Sequence, residues 1–505
     1  MNMNTININI RKTSAALGLL SCIAFFSCSK SFLEVPPQAQ KPVEQFWKTQ
    51  ADATAAVNAM YANTRGWTFV AFAPMAVESI GSDDAATGSD PTDGSVAFMS
   101  QFDNFTVTST NRELPDFWNG MYQEINYCNQ VIDNIPNIDM DATLRTRYIA
   151  EAKFLRAYSY FRLVRAFGDV PLRMHLPKDA SEYNLPRTPK AEVWAAIEQD
   201  LTDAEAVLPP SYSGPDVGRA TKGAAQALHA KVALYEKKWA DVLTYTNKVI
   251  QSGLYSLFPD FEKQYRIPNE NNSESIYEIQ CTYLPNNSAA SNSQYCQIQQ
   301  PRGGFTGNGW GYNNPTQNLV DAFEPDDPRL NGTILFRGST SAEGDLIPPT
   351  AVNPMYNYKS YVPFPIYVND NSGSDQNVRV LRYSDVLLMN AEANNELGNT
   401  APALAALEQV RKRARDYAIA NGAPSTTLPP VTTTDQAALR KAIYHERRVE
   451  LAMDFDSRYF DVIRQGRGAE VFGPLGWKAN KNEVWPIPQS EIDNSFGVLT
   501  QNPGY

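Results

Sequence analysis

The residue types that hydrolyse bonds or bind metals occur in this sequence, but not at the spacing that such chemistry needs. His445 and Glu446 begin a zinc-protease motif, which requires a second histidine four residues after the first on one helix face. Val449 stands there instead, so the second metal ligand is missing. The sequence also has no Gly-x-Ser-x-Gly turn, P-loop or dinucleotide-binding fingerprint. It therefore predicts no catalytic residues, no metal site and no cofactor.

The carboxylates of this segment fit a structural role better than a chemical one. Glu446 and Glu450 are four residues apart, so they share one face of a helix. No Glu-x-x-His motif accompanies them to form a di-metal site, and arginines stand directly beside them. We expect a network of internal ion pairs that ties helices together. The arginines expected in this role are Arg156, Arg162, Arg165, Arg447 and Arg448.

The elements that must position these side chains are mainly helices. Residues 141–167 begin with apolar side chains at spacings of three and four, and from Phe161 onward they are apolar on nearly all sides. Gly168 and Pro171 supply a left-handed cap and a residue that cannot continue the helix. The pattern predicts a long, central, buried helix.

Two helix pairs are predicted further along the chain. Residues 220–253 form a unit of about 34 residues that bends at Lys237 and Lys238, as in a tetratricopeptide repeat. A second pair begins near Leu388 and is broken at positions 398 and 399 before it restarts. Thr434 is predicted to cap a third helix that runs as far as Met453. Such pairs cannot bury their apolar faces alone, so we expect them to stack into a scaffold.

The stretches 62–115 and 254–380 show no helical period. They are rich in Asn, Gly, Pro and Ser with aromatic residues between them, which favours ordered loops with short strands, such as residues 275–280. The predicted fold is mostly α, with a tetratricopeptide-like helical-pair scaffold and a loop-rich ligand-binding region that contains a few short strands. The predicted divisions are a signal peptide at 1–27, an N-terminal region at 28–253, the loop-rich region at 254–380 and a C-terminal region at 381–505.

The first residues have the pattern of an export signal. Two basic residues precede an apolar run over residues 15–26, which at about a dozen residues is shorter than the roughly 20 of a spanning helix. Bacterial lipoproteins are cleaved before a cysteine that takes the lipid, and Cys22 and Cys28 are the two candidates. Cleavage before Cys28 uses the whole apolar run, so we expect a lipid anchor there. The alternative is that both are ordinary cysteines of a discarded signal.

Three cysteines remain after Cys28, an odd number that cannot form a closed disulfide framework. Cys281 and Cys296 are the one plausible disulfide, and the alternative of two thiols stays open. A chain of 505 residues can bury a core without such a bond.

The charge of the chain bears on its partners. Its formal net charge is -11, and it has no long cluster of Lys or Arg. Because affinity for nucleic acid depends on neutralising phosphates, we expect no nucleic-acid partner.

Several ordered blocks of this sequence resemble the SusD/RagB family. The sequence after Cys28, SKSFLEVP, is similar to the family's mature start, and EAKFLRAYSYFRLVRAFGDVPL (151–172) to its most recognisable helix. Three C-terminal blocks follow in the family's order: VLRYSDVLLMNAEANNELG (380–398), ERRVELAMDFDSRYFDVIR (446–464) and VWPIPQSEIDNSFGVLTQNPGY (484–505).

The resemblance implies a lipoprotein on the outer face of the outer membrane that binds glycan and delivers it to a TonB-dependent, SusC-like transporter. It implies no enzymatic activity. Capture of peptide or another nutrient by the same mechanism, and a surface glycoside hydrolase, are the alternatives. Family members often have an acidic run after the lipidated cysteine, and residues 29–31 offer none. Surface exposure therefore rests on the resemblance alone.

The resemblance assigns no individual ligand-binding residues, so we chose candidates from the residues of the two loop stretches. Aromatic rings stack on sugar faces, and an indole or phenol beside glycines can stand exposed and rigid. Neighbouring polar side chains would bond the hydroxyls. For each ring, the alternative that it packs its own loop stays open. The candidates are Trp67, Asp83, Asp84, Arg302, Asn308, Trp310 and Tyr312.

Overall fold

The structure is a computed structural model, and it describes residues 46–283, 294–303, 309–366 and 375–505. The predicted signal peptide, Cys28 and Asn308 lie outside the described residues. Helices of thirteen or more residues form the scaffold in the described part of the chain. They are α1 Gln50–Asn63, α2 Glu113–Asn134, α3 Ala142–Phe167, α4 Lys190–Val207, α5 Lys222–Tyr235, α6 Trp239–Gln251, α7 Tyr383–Glu396, α8 Thr400–Ala420 and α9 Gln436–Leu451.

Helix α3 is the central buried helix that the sequence predicts. Its first turn is capped by Asp141, whose carboxylate accepts a hydrogen bond from the backbone N–H of Leu144 at 2.7 Å. All residues from Phe154 to Phe167 are buried. Gly168 ends the helix with φ at 73°, a conformation that glycine adopts without strain.

Both helix pairs are confirmed, and α9 differs from the prediction at its two ends. Helices α5 and α6 turn at Lys237 and Lys238, and α7 and α8 are separated by residues 397–399. The cap of α9 is Asp435 rather than Thr434, since the Asp435 carboxylate accepts from the N–H of Ala438 at 2.7 Å. The helix ends at Leu451, before Met453, whose φ of 61° no helix accommodates.

Among the described residues, short strands pair in three antiparallel, two-stranded ribbons. The predicted strand at 275–280 is confirmed as Ser275–Ile279. The stretch 62–115, predicted as loops, also contains short helices, Trp67–Val70, Phe72–Met75 and Val96–Asp103. In chain order the strands are β1 Ala85–Gly88, β2 Ser275–Ile279, β3 Tyr312–Pro315, β4 Ile334–Phe336, β5 Met355–Asn357 and β6 Val378–Arg382; β1 pairs with β3, β2 with β6 and β4 with β5.

The expected internal ion pairs are present, and they connect the helices to one another and to the shorter segments. Arg162 of α3 pairs with Glu78 at 2.6 Å, and both side chains are buried. Arg165 pairs with Asp456 at 2.9 Å. Other pairs of this kind are Arg156 with Asp200, Arg447 with Asp385 and Asp461, Arg448 with Asp83 and Asp84, and Glu446 with Arg329 and Arg411.

The structure bears on the candidate disulfide and on spanning helices. Cys281 and Cys296 do not form a disulfide with each other, so the alternative of two thiols applies. Within the described ranges, none of the helices combines the length and the apolar character that crossing a membrane requires.

Candidate ligand-binding site

Trp67 and Trp310, predicted from two distant loops, lie against each other in the structure. Their ring centroids are 5.8 Å apart, and the ring planes are inclined at 58°. Both side chains are half-buried, so each indole keeps part of its surface in contact with solvent. We refer to Trp67 and Trp310 as the indole pair.

Two buried rings pack on the inner side of the indole pair. Phe72 stacks on Trp67 at 5.4 Å and contacts Trp310 at 6.2 Å, nearly edge to face. Tyr312 meets Phe72 edge to face at 5.0 Å. Phe72 and Tyr312 are only 2% and 1% exposed, so they anchor the outer rings and are not themselves available to a ligand. Burial raises the pKa of the Tyr312 hydroxyl, which therefore stays neutral.

The backbone around Trp310 is fixed by two glycines, for different reasons. At Gly309 a Cβ atom would lie 2.4 Å from the carbonyl oxygen of Pro301, so a side chain there would displace the backbone. Gly311 has φ at 68°, which favours glycine. The N–H of Trp310 donates to the carbonyl of Gln297 at 3.1 Å. These constraints hold the indole in one place.

The ribbon of β1 and β3 brings Ser89 to the backbone next to Trp310. Gly88 is opposite Tyr312 in the register, and the N–H of Ser89 donates to the carbonyl of Gly311 at 2.5 Å. Arg302 then donates to the Ser89 hydroxyl at 2.8 Å and to the Asp93 carboxylate at 2.7 Å. These polar side chains are thus linked to the backbone that directly follows Trp310.

The contacts of Asp93 determine its charge. Partial burial raises the pKa of Asp93, but the bonds from Arg302 and from the N–H of Ser95 outweigh it, and the pKa is lowered overall. Asp93 is therefore ionised at neutral pH and pairs with the Arg302 guanidinium, whose side chain is 30% exposed. The group is thus a neutralised ion pair that still has exposed edges for hydrogen bonds.

Asp83 and Asp84 are not brought to the indole pair. Asp83 pairs with Arg458 at 2.7 Å, and Asp84 pairs with Arg448 at 2.7 Å. The carbonyl of Asp84 accepts from the N–H of Thr316, at the opposite end of the ribbon from Tyr312. Both carboxylates are buried and bound to arginines, which favours a structural role over contact with ligand hydroxyls.

Phe72, Ser89 and Asp93 belong to this site but were not predicted. Phe72 is one of several aromatics in its segment, and nothing in the local sequence shows that it lies beneath Trp67. Asp93 is adjacent to a turn in which Thr92 bonds to Asp90, a pattern typical of any surface loop. Ser89 and Asp93 meet Arg302, which is more than 200 residues away in the sequence, only in the folded chain, where β1 pairs with β3 and Arg302 donates to both side chains.

The described residues contain no group of three or more His, Cys, Asp or Glu side chains arranged to hold a metal ion.

Two family models match this chain. Residues 273–505 match the model described as the SusD family, and residues 31–234 match the model described as starch-binding associating with outer membrane. Together the matches take in most of the chain; Trp67 lies within the match at 31–234 and Trp310 within the match at 273–505.

Individual relatives are similar over nearly the full length. SusD-like protein P2 of Formosa agariphila is 30% identical, over 94% of this chain and 96% of its own. A solved laminarin-binding SusD-like protein is 31% identical with a TM-score of 0.76, over 91% of this chain and 100% of its own. A SusD-like protein of Bacteroides fragilis is 25% identical with a TM-score of 0.76, over 92% and 99%.

Proposed function

Because the chain belongs to the SusD family, we propose that it is a non-catalytic, carbohydrate-binding protein of the outer membrane whose ligand lies on the indole pair. The observation that carries the proposal is the contact between Trp67 and Trp310, half-buried rings from distant segments that meet over a buried aromatic base. The laminarin-binding relative supports glycan as the ligand class.

The geometry of the indole pair suits a sugar chain. The C–H groups on the face of a pyranose ring pack against an aromatic face, while the hydroxyls project sideways and need hydrogen-bond partners. Two indoles inclined at 58° form an angled surface that follows a bent or curving chain better than a flat one. Arg302, Asp93 and Ser89 supply donors and acceptors beside the rings.

The proposal includes a route for the captured ligand. The protein is anchored through lipidated Cys28 and passes glycan to a TonB-dependent, SusC-like transporter in the same membrane. Support comes from the family model that is described as associating with the outer membrane. A lipid anchor would hold the protein at the surface without a spanning helix.

The deciding experiment is a binding screen with the full chain. Native electrophoresis in gels that contain laminarin, starch, xylan, mannan or pectin should retard the protein in at least one gel. A pool of peptides, tested by calorimetry, is the parallel arm. Binding to peptides and to no polysaccharide would overturn the glycan assignment while leaving nutrient capture in place.

Two further measurements test the remaining parts. Incubation with the retarding polysaccharide should release no reducing ends, and their release would contradict a purely binding role. Purification from native membranes through a tag on this chain should recover a TonB-dependent transporter. Recovery of this chain alone, under conditions that keep membrane complexes intact, would contradict the partnership.

A further inference from the structure

A cleft lies between α2, the segment 171–185 and the C-terminal residues 491–499. Neither residue of the indole pair contributes to it. Its volume is about 330 Å³. Pockets for small ligands are usually of ~300–1,000 Å³, so the cleft has room for a ligand of roughly one or two sugar rings. Trp118 and Tyr122 of α2 form part of its wall.

The polar lining of the cleft consists largely of side-chain amides. Asn119 and Asn126 come from α2, Asn184 from the segment opposite and Asn494 from the C-terminal residues, and all four are exposed. Each amide offers donors and an acceptor, as each hydroxyl of a sugar does. The lining therefore matches a neutral ligand with many hydroxyls.

The charged residues of the cleft do not favour an anion. Arg173 donates to the carbonyl oxygens of Glu182 at 2.9 Å and Tyr183 at 2.5 Å, so its guanidinium is engaged with the protein backbone. Glu491 is a carboxylate that accepts from Asn119 at 3.4 Å, and it would repel a phosphate or a carboxylate. These contacts disfavour nucleotides and other phosphorylated ligands.

An exposed ring stands at this cleft. Tyr183 is 59% exposed, and it follows a short helical turn at Ala180–Glu182. The carboxylate of Asp179 accepts from the N–H of Ser181 at 2.9 Å, and Arg173 holds the carbonyl of Tyr183. An exposed tyrosine on a turn fixed at both ends is a surface on which a sugar face can stack.

We propose that this cleft is a second carbohydrate-binding site, in which Tyr183 stacks on one or two sugar units and the surrounding amides bond their hydroxyls. The inference rests on the proposed function in so far as the ligand of the protein is a glycan. Two sites on one chain would bind a long polysaccharide more tightly than either site alone.

The test compares Trp310→Ala, Tyr183→Ala and the double variant by native electrophoresis in laminarin and starch gels, and in any other gel that retards the wild type. We expect Trp310→Ala to keep residual retardation and the double variant to lose it. Tyr183→Ala alone should bind two- to tenfold more weakly, and Tyr183→Phe should restore binding. Leu397→Ala, which removes an exposed side chain between α7 and α8, is the control and should behave as the wild type.

The outcomes separate the two proposals. If the wild type is retarded, and Trp310→Ala binds more weakly than the wild type and either loses all retardation or matches the double variant, the second site is wrong and the proposed function stands. If no polysaccharide retards the wild type, the second site and the glycan assignment are both wrong, and capture of another nutrient is what remains of the proposed function. Because Tyr183 is exposed, we expect its variants to fold, and circular dichroism checks this.

Discussion

At the residue scale, Trp310 is the side chain on which the proposed site depends most. It contacts Trp67 and Phe72, and its backbone is held between two constrained glycines. We expect Trp310→Ala to weaken binding to the retarding polysaccharide at least tenfold, about 1.4 kcal/mol, because a fixed stacking surface is lost. Trp310→Phe should keep most of the affinity. Calorimetry of the three proteins measures this, and unchanged affinity of Trp310→Ala would place the site elsewhere.

Glu124 makes a second prediction at this scale, on the pH dependence of stability. It is fully buried on α2, where Asn63 donates to it at 2.8 Å and the Cys128 thiol at 3.7 Å. Burial raises its pKa from 4.5 to about 8. The folded protein therefore retains a proton that the unfolded chain releases above its lower pKa. The contribution of Glu124 to the free energy of unfolding is therefore fully present below pH 4.5, and it is lost as the pH rises through 8.

We expect Glu124→Gln to remove this loss, since a glutamine has no proton to release. At pH 8 the variant should be more stable than the wild type by a few kcal/mol, at ~1.4 kcal/mol per pKa unit. Urea unfolding at pH 5, 7 and 8.5 measures the slope. Glu192→Gln, at an exposed position on α4, should leave the slope unchanged, and an equal slope in wild type and Glu124→Gln would refute the assignment.

At the element scale, the helices could be predicted because their signals are local. The apolar period of α3 and its stop at Gly168 lie within one stretch of sequence, as do the breaks inside both helix pairs. The sequence predicts the cap of α9 one residue too early because Thr434 and Asp435 are both good capping residues. Only the direction of the Asp435 carboxylate toward Ala438 distinguishes them.

The site was less predictable because its contacts join remote segments. Glycines beside Trp310 indicated a constrained ring, and that signal is local. The partners of Asp83 and Asp84 are Arg458 and Arg448, which lie more than 360 residues away. An adjacent pair of aspartates looks the same in sequence whether it faces a ligand or an arginine.

The cap of α9 can be tested with a matched pair of variants. Asp435→Ala should lower the free energy of unfolding by about 1 kcal/mol, because the N–H of Ala438 loses its acceptor. Thr434→Ala should change it by less than about 0.5 kcal/mol, as is usual at exposed positions without a structural contact. Denaturant unfolding at pH 7 compares the two variants. A larger effect of Thr434→Ala would show that Thr434 is the cap of α9.

At the scale of the whole molecule, one buried carboxylate joins the loop-rich region to the helical scaffold. Glu450 on α9 accepts from Arg413 of α8 at 2.6 Å and from Arg382, at the end of β6, at 3.0 Å. Arg329, from the loop-rich region, lies at 3.3 Å. Each of these side chains is almost fully inaccessible to solvent. The position of the loops relative to the helices therefore depends on this cluster.

Glu450→Gln should be destabilising, since it removes one carboxylate that three buried guanidinium groups share; the carboxylates that remain to them are Asp327, Glu446, Glu274 and Asp454. A loss of ~3–5 kcal/mol is typical when one partner of a buried pair is removed. Burial alone would raise the pKa of Glu450, but Arg413, Arg382 and Arg329 outweigh it and hold the pKa well below its usual value. The stability from this group is present above the usual pKa of about 4.3 and is lost as the pH falls through the lower folded value.

Urea unfolding at pH 7 and pH 3 measures both effects of Glu450→Gln, the loss at neutral pH and a shallower decline in acid. The control is Asp416→Asn, which breaks the exposed pair of Asp416 with Lys412 on α8 and should change stability by less than ~0.5 kcal/mol. Because the same arginines hold β6 and the loop-rich region, partial unfolding of Glu450→Gln should also reduce glycan retardation. Wild-type stability in Glu450→Gln would mean that packing and the other ion pairs join the loops to the scaffold without Glu450.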